Sequence, residues 1–371
     1  MVGERDFPAG KDLPGLMALA GDQQRIARLQ FADRDADRFG TIRVLCIGAL
    51  LYASGQIFMA FAETPNDLVM GAGVLIGFGL SGCSFNLVLA AFGKLLPEEM
   101  RPLAFGAGTA AGSFGQFLFP PIANQLISSI GWTDTTVIFG FTLLLVLPLS
   151  IPMATRSLGQ NQTGSQPQQS ISQALAEAFR HPSYLMLVIG FFTCGFQLAF
   201  ITAHMPAYLR DLGLPASVGG WTLALIGLAN AVGSLMSGYW SSRLPKRYLL
   251  AAIYFGRSLA VLMFIMLPAS PENSYLFGVL IGLLWLSTVP PTSGLVMLMF
   301  GTRYMAMLYG FTFFSHQLGG FLGVYLGGVL YERTGSYNVV WWLSIALGIF
   351  SALINLPIRE VAVRRPAANP A

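Results

Sequence analysis

The side chains able to do chemistry in this chain sit in apolar company. His316 with its neighbour Gln317, Arg257, Asn230, Gln197 and Gln116 each fall within about two residues of the centre of a long apolar run, and Asn86 lies about five from its centre. A polar group in hydrocarbon is costly, so residues at that depth are candidates for holding a solute or a coupling ion. An imidazole titrates near physiological pH, so His316 can pass a proton or, when charged, hold a carboxylate. Arg257 is a permanent cation whose forked donors suit carboxylates. The amides of Gln116, Gln197 and Asn230 either contact a solute or join helices. His204, in ITAHMPAYL near one end of its run, is a candidate gate or interfacial residue. No Asp or Glu falls inside these runs, which favours an anionic or neutral solute over a cation.

Ten such runs must position these groups: Ile42–Phe61, Leu68–Leu95, Pro102–Ile127, Trp132–Ile151, Ser183–Tyr208, Val218–Trp240, Tyr248–Pro268, Tyr275–Met297, Met305–Leu330 and Val339–Pro357. Each is long enough to cross a hydrocarbon layer of about 30 Å as a helix. The chain is 54% hydrophobic and 10% charged over 371 residues, against roughly a quarter charged in soluble domains. Backbone amides in lipid must be satisfied within their own segment, and no run alternates as a barrel strand does, so the expected fold is an all-α polytopic membrane protein of about ten spans. Gly319, Gly323 and Gly327 repeat every four residues for close packing, and Pro120–Pro121 and Pro290–Pro291 are expected to interrupt two helices.

Residues 1–36 read as a polar N-terminal segment without a cleavable signal, 37–153 as four spans, 154–181 as a linker rich in Gln, Ser and Gly, 182–358 as six spans, and 359–371 as a tail. Placing Arg38 and Arg43 inside the cell puts Lys94, Arg101, Arg156, Arg180, Arg243, Lys246, Arg247, Arg303, Arg359, Arg364 and Arg365 on the same side, with only Arg210 and Arg333 opposite. The expectation is a cell membrane, of bacterial inner-membrane type, with both termini cytoplasmic. The 21 basic residues are scattered, so nucleic acid is not an expected partner; the lipid bilayer is. Cys46, Cys83 and Cys194 are far apart, read as small apolar packers, and offer no metal-ligand spacing. Neither a Walker A pattern nor HExxH occurs, so neither a cofactor nor a metal is expected.

An internal repeat organises the spans. GVLIG at Gly73–Gly77 recurs at Gly278–Gly282, 205 positions later, and the same shift carries Arg38 onto Arg243. With one residue lost, Phe117 and Leu118 map onto Phe321 and Leu322, and Gly131 onto Gly335. A single match between glycine-rich apolar helices would mean little, but collinear matches of this kind mark an internal duplication. The first two spans of the second half have no apolar partner before Arg38: the shift places the second at about Leu13–Asp35, a stretch with Asp22, Arg25, Arg28, Asp33 and Arg34. The expected design is six plus six helices reduced to four plus six.

The turn Asp37-Arg38-Phe39-Gly40-Thr41-Ile42-Arg43 resembles the loop between the second and third helices of the major facilitator superfamily, although Phe31–Ala36 departs from the pattern upstream. Gly238, Ser242, Arg243, Lys246 and Arg247 repeat its skeleton in the second half. Such a loop acts as a charge latch, its carboxylate facing a helix N-terminus and its cations facing C-termini or acidic lipid heads. The resemblance, closest in texture to the monocarboxylate and organic-anion type, implies two helix bundles rocking around a central cavity, carrying a small solute by alternating access under a solute or proton gradient. Two alternatives remain: a non-transporting remnant of such a carrier, and, more remotely, an intramembrane serine protease with Gly79-Leu80-Ser81-Gly82 as its GxSG turn and His204 or His316 as base.

Overall fold

The computed structural model describes residues 41–151 and 169–363, and the expectations for residues 1–36 and for Asp37, Arg38 and Gly40 fall outside them. Helix is the only regular structure among the described residues. In chain order the helices are α1 (Thr41–Ala60), α2 (Pro65–Leu95), α3 (Arg101–Ile130), α4 (Trp132–Ser150), α5 (Ile171–Arg180), α6 (Pro182–Asp211), α7 (Ala216–Ser241), α8 (Lys246–Met266), α9 (Pro271–Phe300), α10 (Met305–Thr334) and α11 (Asn338–Asn355). Eight of these are long and apolar enough to cross a membrane; α3 and α10, at 30 residues each, run beside them.

Two differences from the sequence reading have local causes. The stretch read as a linker ends in α5, which forms because Ser170 and Gln173 make reciprocal capping bonds and because Ala174 and Ala178 present a small buried face. Phe179 of α5 then packs edge-on against Tyr184 and Phe311. The second difference is at Pro120–Pro121, where α3 stays helical instead of breaking. Two prolines cost helix hydrogen bonds but do not by themselves end a helix in a membrane, where neighbouring groups can meet the freed carbonyls.

α1 packs on α2 and α4, while in the second half α6 packs on α10 and α11, α8 on α11, and α7 on α9. The α6–α10 contact is backbone to backbone. A Cβ on Gly195 would strike the His316 carbonyl, and one on Gly319 or Gly323 would strike the carbonyl of Phe192 or Phe196. These glycines therefore set the distance between the two helices.

The two sets of helices meet along α3 and α7 and where the end of α2 reaches α10. Gly106 lies against Gly238, and Gly93 faces Met297 and Met305. These contacts lie at the end of the molecule that carries Lys94, Arg101 and Lys246. Toward the other end, beyond Phe117 beside Gly227, α3 exposes Leu118, Phe119 and Ile122. The assembly is closed at its basic end.

Candidate functional site

The site is built around a discontinuity in α9, whose helical run Pro271–Leu284 stops and restarts at Val289–Phe300. The cause is in the sequence. Pro290 and Pro291 have no N–H, so the carbonyls of Leu286 and Ser287 lose their usual donors four residues on. The 205-residue shift places Cys83 on Thr288, and α2 breaks there too, between Gly82 and Phe85. It likewise places Tyr52 on Arg257 and Gly79 on Leu284, and both pairs are in contact. The duplicated halves thus keep the same helix break and the same helix-to-helix contact beside it.

Freed backbone groups in a bilayer must find partners: at α9 the Leu286 carbonyl takes the Val289 N–H at 2.9 Å, and other groups around the break find polar residues of the neighbouring helices. Arg257 on α8 donates from Nε to the Leu284 carbonyl at 2.9 Å and from Nη2 to the same carbonyl at 2.7 Å and to the Trp285 carbonyl. Ser237 on α7 donates to the Ser287 carbonyl. Asn230 on α7 accepts from the Leu286 N–H at 2.9 Å and from Ser234 Oγ at 3.1 Å, and donates to Ser113 Oγ of α3 at 2.6 Å. Cys194 of α6 lies 3.3 Å from Thr288 Oγ1.

Arg257 is 0% exposed, and its Nη1 is buried without a hydrogen-bond partner. The acidic residues among the described positions lie at helix ends, in loops or on α5, so none neutralises it. A buried cation with one edge fixed on carbonyls and the other unpaired has the donors an anionic group would need. His316 of α10 stands near the same place: its ring stacks on Phe313 at 4.8 Å and meets Phe191 at 5.2 Å. Its Nδ1 is 3.3 Å from Gln317 Oε1, while its Nε2 is buried and unpartnered. Cys194 Sγ lies 4.0 Å from the Trp285 carbonyl that Arg257 holds, and the next residue, Gly195, packs against the His316 carbonyl, so one stretch of α6 touches the surroundings of both candidates.

The other candidates go elsewhere. Gln197 is fully buried and turns to α11, donating to the Ser344 carbonyl at 3.0 Å. Gln116 is exposed on α3, Asn86 is buried after the break in α2 with its Oδ1 unpartnered, and His204 Nε2 lies 3.0 Å from the Val324 carbonyl. Of the latch residues described, Arg43 is exposed, Ser242 caps its own helix through Tyr239, and Arg243 covers the Tyr239 ring. Lys246 lies alongside Gly294. Arg247 joins the start of α8 to the chain after α11, its N–H donating to Glu360 and its Nη1 to the Ile358 carbonyl. Gly79 and Gly82 seat the α2 backbone on Tyr52 and Gly48 of α1, which explains the GxSG spacing by packing. His204 and His316 are both engaged with α6 and α10 partners rather than with Ser81.

Reasoning from sequence missed Ser113, Ser237 and Cys194 as members of this network. The proline pair is a signal for Ser237, since the Ser287 carbonyl it frees demands a donor from a passing helix, whereas nothing in the residues marks Ser113 or Cys194.

Comparison with known proteins gives a consistent picture. Residues 31–324 match the Major Facilitator Superfamily. The uncharacterized MFS-type transporter YcxA of Bacillus subtilis (strain 168) is 27% identical over 328 residues, covering 86% of this chain and 79% of that protein. Monocarboxylate transporter 12 of Xenopus laevis is 22% identical, covering 84% of this chain and 72% of its own length. Among solved structures, the MFS transporter FucP in its outward conformation superposes with a TM-score of 0.69 at 16% identity, covering 93% of this chain and 91% of FucP. These relatives are transporters and not enzymes.

Proposed function

This chain belongs to the Major Facilitator Superfamily, and from that premise we propose that it carries a small organic anion across the membrane by alternating access, binding the anionic group between Arg257 and His316. It is a multi-pass membrane protein. The observation that carries the solute class is the buried, acid-free Arg257 with its unpartnered Nη1. A fixed cation in a membrane interior needs a counter-charge, and a carboxylate arriving with the solute supplies one. The likeness to a monocarboxylate transporter points the same way.

His316 supplies the coupling. When neutral, with Nδ1–H toward Gln317, it presents the Nε2 lone pair; when protonated, it offers a second donor beside Arg257. Loading a proton and a carboxylate together leaves the site no more charged than before, which makes proton–anion symport the economical arrangement. The distribution of Lys and Arg supports a cytoplasmic basic end, which makes the Gly106–Gly238 contact the one that holds the halves together on that side.

The test is uptake of radiolabelled acetate, pyruvate and benzoate, with a neutral sugar as control, into proteoliposomes with and without an inward proton gradient. Saturable uptake of at least one carboxylate, raised by the gradient and absent for the sugar, is expected. His316→Gln is expected to remove the dependence on external pH while leaving binding measurable. Sugar uptake without carboxylate uptake would overturn the anion assignment, and an unaltered pH profile in His316→Gln would remove the histidine from coupling.

A further inference from the structure

Resting on the anion site above, we propose that Asn230 is a positioning residue that links the contact between the two halves to the Arg257 guanidinium through a single peptide unit of α9. The Trp285–Leu286 peptide is held from both sides. Its carbonyl, on Trp285, accepts from Arg257 Nη2, and its N–H, on Leu286, donates to Asn230 Oδ1 at 2.9 Å. The other end of the Asn230 amide crosses to α3, Nδ2 donating to Ser113 Oγ at 2.6 Å, and Ser113 Oγ donates on to the Thr109 carbonyl at 2.9 Å. Asn230, Ser113 and Arg257 are each 0% exposed, so water does not compete for these bonds.

This peptide has no helical partner of its own, because it lies in the gap between the two helical runs of α9. Its orientation is therefore set by side chains, and one of those side chains is bonded across the seam that must open when the halves rock apart. Breaking the Ser113–Asn230 bond frees the amide to turn on its side-chain axis. The Leu286 N–H then loses its fixed acceptor, and the Trp285 carbonyl moves with it because the peptide is planar. The Arg257 fork is anchored on that carbonyl, so its unpaired Nη1 shifts relative to the bound carboxylate. Opening at the basic end thereby weakens anion binding at the site, which is the direction release to that side requires. Chains of hydrogen bonds polarise one another in a low-dielectric interior, which strengthens such a link while it is intact.

The experiment uses the full chain in nanodiscs and compares wild type, Ser113→Ala and Asn230→Ala. Amide hydrogen exchange is followed in the peptide spanning residues 285–289, and pyruvate binding and uptake are measured alongside. Ser113→Ala, which removes one hydroxyl on the opposite half, is expected to speed exchange in that peptide at least about tenfold, the shift that loss of a buried bond worth about 1.4 kcal/mol gives. Asn230→Ala is expected to do so more strongly. Uptake of pyruvate should fall more than its binding in Ser113→Ala. Should Asn230→Ala fail to fold, Ser113→Ala decides alone. Unchanged exchange at 285–289 in Ser113→Ala overturns the link. Wild-type protein that takes up no carboxylate overturns the anion reading instead, and the exchange result still decides the link independently.

Discussion

Arg257→Gln is expected to reduce carboxylate uptake at least about 100-fold while leaving the thermal midpoint of the folded protein unchanged or slightly raised. The two effects have opposite signs because the residue does two things. As the anion receptor proposed above, Arg257 would contribute charge-assisted hydrogen bonds worth about 1.5–3 kcal/mol, and its loss would also remove the site's fixed charge; at about 1.4 kcal/mol per tenfold, two orders of magnitude follow. As a structural donor it satisfies the carbonyls of Leu284 and Trp285, and leaving them unpaired costs about 1–3 kcal/mol each. Set against that is the relief of an unneutralised buried charge, whose burial costs several kcal/mol. Gln keeps one donor for the carbonyls, so the relief outweighs the bonds that are lost.

Arg257→Lys separates the roles. It keeps the charge, but an ammonium cannot hold two carbonyls and a carboxylate edge in one plane. Weak carboxylate binding with transport near background is expected. The measurements are proteoliposome uptake and thermal unfolding followed side by side in the same lipid. A midpoint that falls steeply in Arg257→Gln with uptake retained would make the residue a brace for α9 and would remove the anion from the site.

Much of the helical framework could be read from residues alone, because a bilayer forces each apolar run to satisfy its own backbone. The 205-residue shift went further than composition, since it ties Tyr52 and Gly79 to Arg257 and Leu284, contacts that the folded halves repeat. Arg257 and His316 stood out as polar residues in apolar runs, but their partners did not, because those depend on how α8 and α10 are rotated against α9 and α6. The same limit applies to Gln197 and Asn230. Two amides at similar depth face α11 and the α9 break respectively, and the rotation of α6 and α7 that decides this comes from glycine contacts spread over other helices. Pro120–Pro121 and Pro290–Pro291 look alike in sequence, yet only the second pair sits at a break. Donors from α7 and α8 meet the freed groups at the second pair.

Gly238→Leu is expected to abolish uptake, by roughly 100-fold or more, in a protein that still folds and inserts. Gly238 and Gly106 bring α7 and α3 into direct backbone contact at the basic end: a Cβ on Gly238 would lie 2.6 Å from the Pro102 carbonyl oxygen and 3.1 Å from Gly106 Cα. The atoms in the way belong to the backbone, so no rotamer change makes room. Overpacking usually costs about 1–3 kcal/mol, and a branched side chain against two backbones belongs at the upper end. Here the cost falls on one conformation only, the one closed at this end, because parting the halves removes the clash. Reversing a 99:1 population takes about 5.5 kcal/mol, and about 3 kcal/mol already depopulates the closed state by two orders of magnitude. A carrier that cannot close one end cannot complete its cycle.

Gly106→Leu should behave alike, since its own Cβ would meet the Ser234 carbonyl at 2.7 Å. Gly112→Leu on the same helix is the control, because nothing lies within 4 Å of a Cβ there. The state can be read directly by placing a cysteine at Met297, which lies beside Gly93 at the closed end, in a chain whose native cysteines are serine. Labelling of that cysteine by a membrane-impermeant maleimide should be slow in the parent and fast in Gly238→Leu. Were uptake and labelling in Gly238→Leu to match the parent, the α3–α7 seam would be a fixed joint, and the halves would have to move about some other axis.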